Sequence, residues 1–105
     1  MATITTLVHF SLPKENMNKF LAVWKKSRDI MLKQPGALDG IFYRTIDDDS
    51  AFQFVNAARW ESAEALANAL KSVQEEGSDL WALSQEMRRL GARVSQNNYV
   101  EEVKY

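Results

Sequence analysis

Residues 54–60 read FVNAARW. Alternate side chains of a strand share a face, so Phe54, Asn56, Ala58 and Trp60 form one row and Val55 and Ala57 face the other way. The first row is that of a half-buried strand, except that an amide stands in it. A buried amide without a partner costs on the order of 1–3 kcal/mol. Asn56 is therefore expected either to bond a helix end or water, or to face a pocket where it meets a ligand.

Upstream, DDDS at 47–50 reads as a hairpin turn, because Asp and Ser side chains bond their own backbone. It joins the strand at 51–60 to an antiparallel strand at 38–46, LDGIFYRTI. Downstream, Ser62 is placed to cap a helix with Glu64 in its first turn. Ala63, Leu66, Ala67 and Leu70 supply its apolar face. EEGS interrupts the helix, and Ser78 caps a second piece carrying Leu80, Leu83, Ser84 and Met87, closed by Gly91. Toward the N-terminus, TITTLVHFSL (3–12) alternates as a strand, with Ile4, Thr6, Val8, Phe10 and Leu12 on one face and Leu7 and His9 on the other. Between Asn16 and Lys33 the period becomes helical, with Met17, Phe20, Leu21, Trp24 and Met31 in one stripe, and QPG at 34–36 ends it. The tail RVSQNNYVEEVKY reads as a last strand of open register.

The order strand, helix, strand, strand, helix in two pieces, strand is the split βαβ, or ferredoxin-like, order. It implies an α+β fold with a four-stranded antiparallel sheet and helices on one face. The second sheet face is also apolar: Leu7 and His9, Val55 and Ala57, Ile41 and Tyr43. Such a face usually marks an interface, so a homodimer packed sheet to sheet is expected.

Length and composition bound the function. One domain over 1–105 is expected for 105 residues. Thirteen basic against fourteen acidic side chains lack the basic excess of nucleic-acid binders, and the pairs at Lys25–Lys26 and Arg88–Arg89 fit solvated helix faces. No apolar run is long enough for a membrane span, and MATITTLVHF lacks the pattern of a signal peptide. There is no cysteine, which fits a cytoplasmic protein and removes thiol chemistry and cysteine metal sites. DDDS reads as a solvated turn rather than a converging metal site. No glycine-rich phosphate loop is present, and nothing places a serine beside His9 with an orienting acid.

Two stretches, FLAVWKKSRDIMLKQPGALDG (20–40) and FQFVNAARWESAEALANAL (52–70), carry a resemblance to the antibiotic biosynthesis monooxygenase family. The likeness runs over nearly the whole chain. It implies a dimeric α/β barrel, in which each protomer holds a pocket between sheet and helices. Members resembling the anthrone oxygenases oxidise electron-rich phenols with O2 and no metal, haem or flavin. In those, an asparagine and a tryptophan four residues later line the pocket. Carried over, the resemblance makes Asn56 and Trp60 the catalytic candidates and implies no cofactor. Such enzymes also use an arginine and a tyrosine on the helical side. Leu66 stands where the tyrosine is expected, and Arg88 is the arginine candidate. A haem-degrading branch places a histidine on the helix after the tryptophan, and this helix has none. A third branch holds stress-response proteins with no assigned reaction.

The resulting expectation is a small aromatic or quinol-type substrate in an apolar pocket, bound by Trp24, Phe54 and Arg88. Asn56 would hold the substrate oxygen and stabilise charge as the phenol loses its proton. The competing expectation is a non-catalytic small-molecule binder on the same dimer. His9 and Tyr43, on the second sheet face, read as interface residues.

Overall fold

A computed structural model describes residues 2–105. Four strands and three helices follow in the order β1 (Ile4–Ser11), α1 (Met17–Met31), β2 (Ala37–Arg44), β3 (Phe54–Trp60), α2 (Ala63–Gln74), α3 (Asp79–Arg89) and β4 (Arg93–Tyr99). The sheet is antiparallel, in the spatial order β2-β3-β1-β4. This is the ferredoxin-like arrangement expected from the element order.

Both helix starts at 62 and 78 are capped as their serines suggest. The Ser62 and Ser78 hydroxyls accept from the Ala65 and Trp81 amides, each at 3.1 Å. A cap of this kind satisfies one of the amides that a helix start leaves unpaired. Helix α1 has no such cap. Asn16 precedes it, and its Nδ2 instead donates to the Leu90 carbonyl at 2.8 Å, tying the start of α1 to the end of α3. The QPG turn is closed by Gly36 at φ +88°, where an added Cβ would also run into Ala65. That position needs glycine for both reasons.

The β2–β3 hairpin is shorter than the alternation suggests. β2 ends at Arg44 and β3 begins only at Phe54. Ile46, grouped with Phe42 by its spacing, is 97% exposed in the connecting loop. Gln53 immediately precedes β3. Its side chain turns inward, accepting from the Leu12 amide at 2.9 Å and donating to the Ser50 carbonyl at 3.2 Å. Gln53 is held from both sides as well, its carbonyl accepting from the Thr45 amide at 3.0 Å and its own amide donating to the Phe10 carbonyl at 2.9 Å.

The register draws straight rows across the sheet. On the helix-bearing face they are Arg44–Phe54–Phe10–Val94, Phe42–Asn56–Val8–Gln96 and Gly40–Ala58–Thr6–Asn98. The opposite face carries Tyr43–Val55–His9–Ser95 and Ile41–Ala57–Leu7–Asn97. No helix covers that second face; Ile41 and Tyr43 on it are 58% and 51% exposed.

Under the helices the core divides in two. Phe10, Leu12, Phe20, Phe54 and Ala92 form one buried cluster, and Trp60, Leu66 and Ala69 the other. Helices α1 and α2 each pack on α3, whereas they barely touch each other. Their separation leaves space over the sheet between the two clusters.

Candidate functional site

A cavity of about 260 Å³ lies in that space. Its floor is the row Gly40–Ala58–Thr6, whose side chains are small, and the neighbouring row that holds Asn56, Val8 and Gln96. Gly40 approaches the β3 backbone closely: an added Cβ would lie 3.1 Å from the Ala57 carbonyl oxygen and 3.3 Å from the Ala58 Cα. Large aromatic groups wall the cavity at either side. Trp24 of α1 stacks on Phe42 with ring centroids 3.8 Å apart and planes 26° apart, and Trp60 closes the other end. Met31 at the end of α1, Leu32 just after it, and Leu66 and Leu70 of α2 complete an apolar roof. The volume is near the lower end of the range for small-molecule sites, roughly 300–1,000 Å³.

Asn56 stands in the middle of this floor. Its side chain makes no hydrogen bond to the protein among the described residues, yet it is not a buried unsatisfied group. Cavity space therefore reaches the amide, and two donors and an acceptor remain available there. No helix end takes them up. Trp60, two residue pairs further along the same strand face, is buried and presents its indole to the cavity wall.

The other candidate residues separate. Trp24 lines the cavity. Phe54 does not: it is 1% exposed, stacked on Phe20 at 5.6 Å, in the aromatic cluster beside the cavity. It shares a face with Asn56 but lies one row toward the filled end. Arg88 is exposed near the end of α3 and is not among the cavity-lining residues. It comes eight residues after the inward Leu80, roughly 80° further round the helix axis, which turns it to solvent. His9 lies on the uncovered sheet face with its ring 5.1 Å from that of Phe52.

Three groups at the cavity went unread in the sequence. Arg28 sits at the mouth, its guanidinium 5.8 Å from the Trp24 ring centroid and hydrogen-bonded to Asp29 at 3.0 and 3.1 Å. Its spacing of four from Trp24 was the available signal. Asp39 and Arg59 form an exposed two-point ion pair at the rim, at 2.7 and 2.6 Å. The hydrogen bonds from Arg59 hold the Asp39 carboxyl below its usual value of 3.8 and raise the arginine in turn. The third group is the pair Thr6 and Gln96, joined at 3.2 Å. The lining contains no histidine, lysine or tyrosine. Among the described residues no cluster of three or more His, Cys, Asp or Glu is arranged to hold a metal ion, and no helix is long and apolar enough to cross a membrane.

A four-stranded antiparallel sheet with its helices on one face and an apolar, amide-bearing cavity beneath them defines a ferredoxin-like α+β class. The sequence itself narrows that class: residues 3–77 match the antibiotic biosynthesis monooxygenase family, and the chain belongs to it. Among solved structures it is similar to a candidate monooxygenase from Shewanella loihica PV-4, at 23% identity and a TM-score of 0.80 over 98% of this chain and 97% of that one. It is also similar to SnoaB, a cofactor-independent oxygenase from Streptomyces nogalater, at 19% identity and a TM-score of 0.76 over 99% and 97% of the two chains. A conserved protein from Methanosarcina mazei Go1 matches at 14% identity and a TM-score of 0.76 over 97% and 95%. At these identities the likeness establishes the fold. No curated protein matches the sequence significantly.

Proposed function

We propose that this protein is a cofactor-independent monooxygenase that oxidises a small aromatic or quinol-type substrate with O2. The observation that carries the reading is the Asn56 amide, left without a protein partner on the floor of a cavity walled by Trp24, Phe42 and Trp60. The rings would sandwich a planar substrate, and the amide N–H would donate to its phenolic oxygen. That bond strengthens as the oxygen loses its proton and gains charge, so it favours the electron-rich anion over the neutral phenol. With no histidine or lysine at the cavity, the proton leaves to water through the mouth between α1 and α2. A quinol that takes one oxygen atom at a ring carbon and leaves as a hydroxyquinone supplies all four electrons that O2 requires. The second oxygen atom departs as water, so no external reductant enters the balance.

Oxygen uptake with 1,4-naphthohydroquinone and with anthrone tests this reading, measured against the uncatalysed autoxidation of each. Uptake that the protein does not accelerate for either compound would sink it. The lack of a histidine or lysine in the lining, whose one carboxylate, Asp39, is tied to Arg59, favours a second reading, a non-catalytic binder of the same aromatics, which predicts saturable binding with no added uptake.

We further infer that the protein works in the cytoplasm as a homodimer through the uncovered sheet face. Leu7, Val55, Ala57, Ile41 and Tyr43 would bury against a second copy, removing an apolar surface that is otherwise wet. Light scattering at micromolar concentration should give a dimer mass, and Val55→Glu, which buries an unpaired carboxylate there, should give the monomer mass or an unfolded chain. A monomeric parent protein would end this inference.

A further inference from the structure

The cavity has a second polar position besides Asn56. Thr6 lies on central strand β1 and is only 3% exposed, yet it lines the cavity. Its Oγ1 accepts a hydrogen bond from Gln96 Nε2 of β4 at 3.2 Å. The hydroxyl hydrogen has no protein acceptor among the described residues, and a buried hydroxyl normally finds one. Gln96 also lines the cavity, from the exposed strand β4, and its Oε1 has no protein donor among the described residues. The register shows how the two polar positions relate. Asn56, Val8 and Gln96 are consecutive in one row across the sheet. Asn56 and Gln96 are thus two strand spacings apart, roughly 9.5 Å, with the apolar Val8 between them. Thr6 stands in the next row, beside Ala58.

We infer that Thr6 and Gln96 form a second polar pole that selects an aromatic ligand carrying oxygen at both ends of the ring system. One oxygen meets the Asn56 amide, and the other meets the Thr6 hydroxyl and the Gln96 amide. The ring lies across Val8, Ala58 and Gly40, whose small or aliphatic side chains leave its face unobstructed. A para-dioxygenated ring, a hydroquinone, answers this pattern, whereas a monophenol leaves one pole unpaired. A monophenol leaves the buried Thr6 hydroxyl without the net hydrogen bond that the diol supplies. This inference rests on the aromatic-cavity reading above and assigns the substrate class within it.

The test is binding without turnover. Calorimetric titration under anaerobic conditions compares 1,4-naphthohydroquinone with 1-naphthol, which share the ring system and differ by one hydroxyl. The parent protein should prefer the diol by about three- to tenfold, the factor one net hydrogen bond supplies. In Thr6→Val, which keeps the shape of the side chain, the preference should fall to about one, and in Gln96→Leu it should fall part of the way. Thr6→Ser, which restores the hydroxyl, should restore the preference. A parent protein that binds both compounds equally, or a Thr6→Val variant that keeps the full preference, overturns the second pole and leaves the oxygenase reading standing. Failure to bind either compound overturns the aromatic-cavity reading and this inference together. Retention of the preference in Gln96→Leu with its loss in Thr6→Val removes Gln96 from the pole.

Discussion

The two ends of the helix-bearing sheet face differ in how they are filled. At one end Phe10, Phe20, Phe42 and Phe54 pack ring against ring, with centroids 5.0–6.1 Å apart and only Phe20 and Phe54 stacked. At the other, Gly40, Ala58 and Thr6 lay a floor of small residues, and helices α1 and α2 stand apart above it. The same three strands run through both ends. What changes is side-chain volume along each strand: Phe54 and Phe10 give way to Ala58 and Thr6 four residues away, and Phe42 to Gly40 two residues away. Aromatic rings bring large buried area and dispersion contacts, so the filled end holds the fold and leaves the other free to stay hollow.

The largest test of that division is Phe20→Ala. Phe20 is fully buried between Phe10 and Phe54, and its truncation should cost about 3–5 kcal/mol through lost burial and a residual void, read as a shift in urea midpoint. A loss below about 1 kcal/mol would break the comparison. Next is Asn56→Leu at the hollow end. Turnover or affinity for a bound quinol should fall about 10- to 100-fold, equivalent to roughly 1.4–2.7 kcal/mol, while the urea midpoint holds or rises because an amide has been removed from an apolar row. A destabilised variant with full activity would make Asn56 structural. Ala58→Leu should fill the cavity from below. We expect it to stabilise the protein by about 0.5–2 kcal/mol, as cavity filling commonly does, and to abolish aromatic binding; a marked destabilisation would show that the floor is already tightly packed.

The smallest effect belongs to the rim. The Asp39 carboxyl is held below its usual value by hydrogen bonds from Arg59. A lowered folded-state pKa contributes stability above the unfolded value and loses it as pH falls through the folded one. Acid titration of the urea midpoint should therefore show a slight decline from about pH 4 downward that is absent in Asp39→Asn and in high salt. The pair is exposed, so the decline should be small.

Much of this arrangement was legible in the sequence, for physical reasons that also mark where legibility stopped. A strand has period two, so the alternation about Val55 and Phe54 sorted both sheet faces, and the serines at 62 and 78 fixed two helix starts by cap chemistry. Asn56 stood out because an amide in an apolar row breaks a local rule, which functional sites often do. Phe54 followed the same face into the core, since periodicity gives the face of a strand but not the position along it. Arg88 failed on helix phase. Thr6 and Gln96 could not be paired at all: threonine is at home in any strand, and β4 is too polar for its alternation to set a register. Their juxtaposition exists only in the folded sheet.

The position of β1 has a consequence in time. It precedes the other three strands in the chain, and it occupies the middle of the sheet between β3 and β4. Thr6 on β1 and Gln96 on β4, joined side by side, are 90 residues apart in the chain. Until β4 emerges from the ribosome, β1 carries a bare hydrogen-bonding edge on one side, and such an edge invites pairing with other chains. The floor of the cavity is completed by the strand that follows the other three in the chain. Sheets closed by contacts of such long sequence separation fold slowly for their size, and a nascent chain halted before Arg93 would present both an open edge and an incomplete site.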